Sequence, residues 1–251
     1  MPQNPYRSDR MQPNNTRINE WFVPKFGPIK FRALVGLLFL PYTGMCISFA
    51  LTGSMISPVL DWMRVYAIGI IYFFALGLSA HCADAMGSRA QKPWGEYFSH
   101  VELKIMMVLG LVIAYGIGIY YMVFFTPMLW PIAVLEGFFV FAYNFELFGS
   151  FFHNNFWFAI SWGALPFLAG YIIQANSYQM ITLPLLGALV TFIISYVEIR
   201  ISRKYKAIIR NNAAINRTKL KKLELKLKML SLSTIIVSIL VIIIRYNTYS
   251  T

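Results

Sequence analysis

Charge is scarce in this chain: Asp, Glu, Lys and Arg make up 13% of its 251 residues, about half the share of an average soluble domain. Acid is scarcer still, with 10 Asp and Glu against 22 Lys and Arg. Such a composition excludes an ordinary water-solvated surface and makes lipid the natural solvent. Only two cysteines occur, Cys46 and Cys82. Both fall in or beside apolar runs, so they read as small core residues, and they are too few for a zinc site. No cleavable secretory leader is expected, because the first 32 residues are polar and basic and the first apolar run is long enough to remain as a span. No internal repeat and no separate soluble domain stand out.

What is present is apolar length. Crossing a ~30 Å hydrocarbon core takes roughly 20 helical residues, and seven stretches approach or exceed that: Ala33 to Thr52, Tyr66 to Ala80, Ile105 to Phe125, Trp130 to Phe148, Phe156 to Gln174, Ile181 to Val197 and Leu230 to Ile244. The second extends toward Val59, which sets Asp61 and Arg64 near its outer end. The expected fold class is therefore all-α, a polytopic transmembrane bundle of about seven spans. Net charge is +12, but its placement speaks against nucleic acid. Arg7, Arg10, Arg17, Lys25, Lys30 and Arg32 precede the first span, Arg89, Lys92 and Lys104 separate the second and third, and eleven basic residues lie between Arg200 and Lys228. The joints after spans one, three and five carry almost none. By the positive-inside rule the N-terminus is cytoplasmic, and anionic headgroups absorb the charge.

Four segments follow. Residues 1–20 read as a disordered cytoplasmic tail. Residues 21–200 form the bundle, entered through an interfacial stretch in which Trp21, Phe22, Phe26 and Phe31 alternate with Lys25 and Lys30. Residues 201–228 read as a basic amphipathic cytoplasmic segment lying on anionic lipid, or serving as an arm for a protein partner through 203–228. Residues 229–251 hold the last span and a short tail.

Ionisable groups at membrane depth cost roughly 2.5 to 3.5 kcal/mol each, so each needs a partner or a function. Here they are Glu136 and Glu146 in span four, His81 and Asp84 at the end of span two, Glu198 at the end of span six, and His153 just after span four. On helices His81 and Asp84 share a face, as do Tyr143 and Glu146, while Asn144 points elsewhere. The two faces could meet across the bundle, either as an interfacial ion pair and structural hydrogen bonds or as ligands for a divalent cation and a diphosphate. Glu136 is offset from Glu146 by about 80° and need not share that site. The 21 Phe, 15 Tyr and 6 Trp suit lipid-facing bulk and interfacial belts, or the lining of an isoprenoid tunnel.

Three stretches resemble the UbiA-type intramembrane prenyltransferase superfamily, in particular a divergent, uncharacterised UbiA-like branch. They are "AHCADAMGSRAQKPWG", "AYNFELFGSFFHNNFWFAISWGALPFLAGY" and "YVEIRISRKYK", and together they extend over most of residues 30–206. The resemblance implies a helical bundle in the cell membrane with a cavity open to lipid. At its cytoplasmic mouth Mg²⁺ and an isoprenoid diphosphate would be held, and the prenyl group would pass to a lipid or aromatic acceptor. On this reading His81, Asp84, Tyr143 and Glu146 are catalytic, Arg89, Lys92, Asn144, Glu198 and Arg200 bind substrate, and His81, Asp84 and Glu198 hold the metal. The likeness departs from the family where its first motif reads Asn-Asp-x-x-Asp-x-x-x-Asp. Aligned on Asp84, this chain has Ala80, His81, Asp84 and Ser88, with one aspartate of three. Leu147 stands where the family usually has a lysine. A non-catalytic scaffold of the same fold, binding lipid or quinone or serving as a complex subunit, is the alternative.

Overall fold

The computed structural model describes residues 18, 20–87, 94, 97–178, 181–210 and 217–249. Among them there is no strand, and seven helical stretches are long and apolar enough to span a membrane. The protein is an integral, multi-pass membrane protein. The first stretch, Ile29–Met55, is broken into α1 (Ile29–Leu37) and α2 (Leu40–Met55). Then come α3 (Trp62–Gly87), α4 (His100–Phe124), α5 (Trp130–Asn144), α6 (Asn155–Ala175), α7 (Thr182–Arg210) and α8 (Arg217–Tyr249).

Local chemistry sets the ends. Pro41 has no N–H with which to continue the α1 ladder, and Phe39 takes a left-handed conformation, φ 44°. The Thr43 hydroxyl then donates to the stranded Leu38 carbonyl at 2.6 Å. Asp61 caps α3 by accepting from the Met63 N–H at 2.8 Å. Asn154 caps α6 through the N–H groups of Phe156 and Trp157. Ser99 and Glu102 form a capping box on α4, and Glu102 also pairs with Lys30 at 3.2 Å.

Close packing is built on small residues, as in membrane bundles generally. Gly53 on α2 faces the Phe167 carbonyl of α6, and Gly170 on α6 faces the Ala50 carbonyl of α2. The Ser54 hydroxyl bonds the Gly170 carbonyl between them at 2.9 Å. Helix α8 lies along α2, where Ser238 donates to the Ser48 carbonyl at 3.1 Å. At the end of the bundle near Asp61, the Gln174 amide clasps the Asp61 backbone in both directions, at 2.8 and 3.0 Å. Many of the large apolar side chains on the outward faces of α4, α7 and α8 are exposed, the arrangement expected where the solvent is hydrocarbon.

One expectation changes. Span four, read as continuing to Phe148, ends as a helix at Asn144, and Glu146 has φ 51°. Tyr143 and Glu146 therefore do not share a helical face: the chain has already turned. Over the basic segment 201–228 the described residues are helical: they continue α7 through Arg210 and begin α8 at Arg217, and 211–216 lie outside the described residues. The expected tail lies outside them too, except Ile18 and Glu20. Ile18 is buried, and its carbonyl accepts from Arg32 at 3.1 Å.

Candidate functional site

The site is best built from two short π-helical segments. In α3 the turns Phe73–Ala80 are π-helical and hand over to an α-helical turn at His81; in α6 the same occurs over Ile160–Ala164. Such widened turns re-aim the side chains beyond them and are frequent at functional sites. Here they bring His81 to Trp162, with ring centroids 5.1 Å apart. Phe39, at the break between α1 and α2, also stacks on His81, with ring centroids 5.1 Å apart. The His81 Nδ1 lies 2.9 Å from the Gly77 carbonyl. A carbonyl only accepts, so Nδ1 carries the proton and the ring orientation is fixed.

Around these rings charged groups collect. Lys206 sits with its ammonium 5.6 Å from the Phe39 ring centre, and its charge bears on Glu198. Glu198 is 3% exposed, well inside α7 and not at its end. Tyr143, on the last turn of α5, is buried. Its hydroxyl accepts from Arg203 at 3.4 Å, its ring stacks on His153 at 4.6 Å, and its carbonyl lies 2.9 Å from the His153 Nδ1. Arg203 also donates to the His153 carbonyl at 3.4 Å. The charges of Arg203, Asp84 and Glu198 all act on the Tyr143 hydroxyl. So α3, α5 and α7, with the loop before α6, deliver acidic, basic and phenolic groups to one end of the bundle.

The expected residues divide. His81, Asp84, Tyr143 and Glu198 belong to this end. Asn144 is buried and spends its amide on the Val140 carbonyl of its own helix at 2.8 Å. Glu146 accepts from the Ser150 hydroxyl at 3.3 Å and so braces its own loop. Arg200 is exposed, its guanidinium 5.9 Å from the Tyr196 ring. Two residues along a helix is a rotation of about 200°, so Arg200 faces away from Glu198. Arg89 and Lys92 lie outside the described residues. Among the described residues no three His, Cys, Asp or Glu side chains gather as a metal-holding group. Asp84 and Glu198, whose charges both act on Tyr143, are carboxylates, the oxygen-donor type that a hard cation such as Mg²⁺ takes.

Arg203, Lys206, His153, Phe39 and Trp162 were not among the expected site residues. For Lys206 the signal was legible: Glu198, Ser202, Tyr205 and Lys206 follow i, i+4, i+7, i+8 along one helical face. For Phe39 and Trp162 no sequence period could have served, because a helix break and a π segment place them.

Deeper in the bundle is a second polar point. Glu136 lines a cavity of about 60 Å³ among α3, α4, α5 and α6 whose other walls are almost wholly apolar. The Tyr72 hydroxyl donates to its Oε1 at 3.0 Å, while its Oε2 is buried with no hydrogen-bond partner among the described residues. Compared with models of protein families, with curated proteins and with solved structures, the chain matches none.

Proposed function

We propose that the protein handles an isoprenoid diphosphate or a related phosphorylated lipid at the basic end of its bundle and transfers the prenyl group to a lipid or aromatic acceptor. This end would face the cytoplasm and the bundle would lie in the cell membrane, with anionic lipids around it. One observation carries the reading: His81, Asp84, Tyr143, Glu198, Arg203 and Lys206 come to one end of the bundle beside the Phe39 and Trp162 rings. It accords with the resemblance of the polar stretches to UbiA-type enzymes. Arg203 and Lys206 would neutralise charge on a departing diphosphate. Asp84 and Glu198 would hold Mg²⁺, whose chemistry is to polarise the phosphoryl oxygens. Tyr143 and the rings would line the path of the prenyl chain, their faces suited to cationic character on carbon.

The test uses purified protein in detergent with Mg²⁺ and geranylgeranyl diphosphate. Diphosphate release is expected, with a loss of at least 100-fold in Asp84→Ala and a comparable loss in Arg203→Ala. Release unchanged by Asp84→Ala would sink the assignment. The Glu136 cavity favours a second reading, a scaffold that binds lipid or quinone without turnover. That reading predicts a copurifying lipid and no diphosphate release from any variant.

A further inference from the structure

The cavity beside Glu136 has a composition that a structural hydrogen bond does not account for. Ile68, Ile71, Leu76, Leu111, Met122 and Leu129 supply apolar wall, and the volume is about 60 Å³. A water needs roughly 10 to 15 Å³ and two to four polar partners, so the space admits several water-sized units, yet the walls offer few partners. The Tyr72 proton is committed to Glu136 Oε1. The Tyr115 hydroxyl donates to the Ala133 carbonyl at 3.0 Å, and its oxygen keeps only acceptor capacity. What remains is Glu136 Oε2, buried and without a hydrogen-bond partner among the described residues. A buried polar oxygen left unmet costs about 1 to 3 kcal/mol, and in a membrane interior such groups are functional by default.

We infer that this cavity binds a slender apolar molecule ending in a hydroxyl, with the hydroxyl on Glu136 Oε2 and the hydrocarbon along the α3, α4 and α5 walls. A hydroxyl both donates and accepts, so it pairs with Oε2 whether or not the carboxyl carries a proton. An ammonium fits less well, since its three donors would meet one open acceptor and an apolar wall. Pure hydrocarbon would fill the volume and leave Oε2 as it is. Glu136 and Tyr143 lie seven residues apart on α5, on the same face and about 10 Å along the axis. The bound molecule therefore sits below the basic end and is distinct from anything held by Arg203 and Lys206. The inference does not depend on chemistry at that end.

The experiment is photolabelling of the full chain in lipid nanodiscs with 3-azibutanol, a short aliphatic alcohol carrying a diazirine, followed by peptide mass spectrometry. Labelling of the α3, α4 and α5 peptides is expected to saturate. 1-Butanol should compete at least tenfold better than n-pentane at equal membrane concentration, because only the alcohol meets Oε2. Ala114→Leu, or Ala133→Leu if the first fails to fold, fills the cavity and should abolish the saturable part. Labelling that rises linearly with probe, or equal competition by alcohol and alkane, overturns the inference. So does saturable labelling that persists in a folded cavity-filling variant. Competition in the unmodified chain decides the matter even if neither variant folds.

Discussion

Replacing Gly170 by alanine adds one methyl group where α2 and α6 touch. That carbon would stand 2.7 Å from the Ala50 carbonyl carbon and closer still to its oxygen, whereas ordinary contact begins at 3.4 Å. The neighbour is backbone, so the two helices must part. Overpacking of this kind costs about 1 to 3 kcal/mol. Parting the helices also strains the bond from Ser54 to the Gly170 carbonyl, now 2.9 Å, worth about 1 kcal/mol. The expected loss is thus about 2 to 4 kcal/mol, or roughly 5 to 15 °C in unfolding temperature for a chain of this size. The protein carries its own reporter, since Cys46 and Cys82 are both buried: a thiol-reactive dye fluoresces as heat exposes them. Gly116 on α4 supplies the control, because nothing lies within 4 Å of a methyl added there, and Gly116→Ala should be neutral or gain up to about 1 kcal/mol from helix propensity. If Gly170→Ala melts with the wild type, the α2–α6 contact is not the close one described.

Tyr72→Phe removes the hydrogen bond to Glu136 and should cost about 1 to 3 kcal/mol, while Glu136→Gln keeps an acceptor for Tyr72 and should cost under about 1 kcal/mol; thermal unfolding of both variants separates the two. His153→Ala forfeits the stack on Tyr143 and the bond to its carbonyl, together about 2 kcal/mol. His153→Phe should regain the stacking share, and equal melting of all three proteins would remove that ring pair from the account. In the folded protein neither cysteine should react with a water-soluble maleimide, since Cys46 is 2% and Cys82 0% exposed; rapid labelling of either at room temperature would contradict that burial.

Length, apolar runs and scarcity of charge determined by themselves that this is an all-helical membrane bundle of seven spans, because hydrocarbon admits only segments that satisfy their own backbone. The polar residues within or beside those runs, His81, Asp84, Glu136, Tyr143, Glu198 and His153, could also be read off, since ionisable groups are conspicuous against so apolar a background. Which of them meet was not legible. Helical periodicity paired Tyr143 with Glu146, but the helix ends at Asn144 and Glu146 turns left-handed. The family resemblance set Arg200 with Glu198 among the substrate-binding residues, whereas rotation about α7 turns Arg200 away and puts Lys206 on the face of Glu198. Phe39 and Trp162 reach His81 only through a helix break and a π segment. Glu136 was set apart from the other acids, yet its Tyr72 partner and the cavity around it needed three more helices. A chain in lipid announces its spans through transfer free energy, residue by residue. The register between spans depends on glycine contacts, broken turns and buried carbonyls that form only once the helices are assembled.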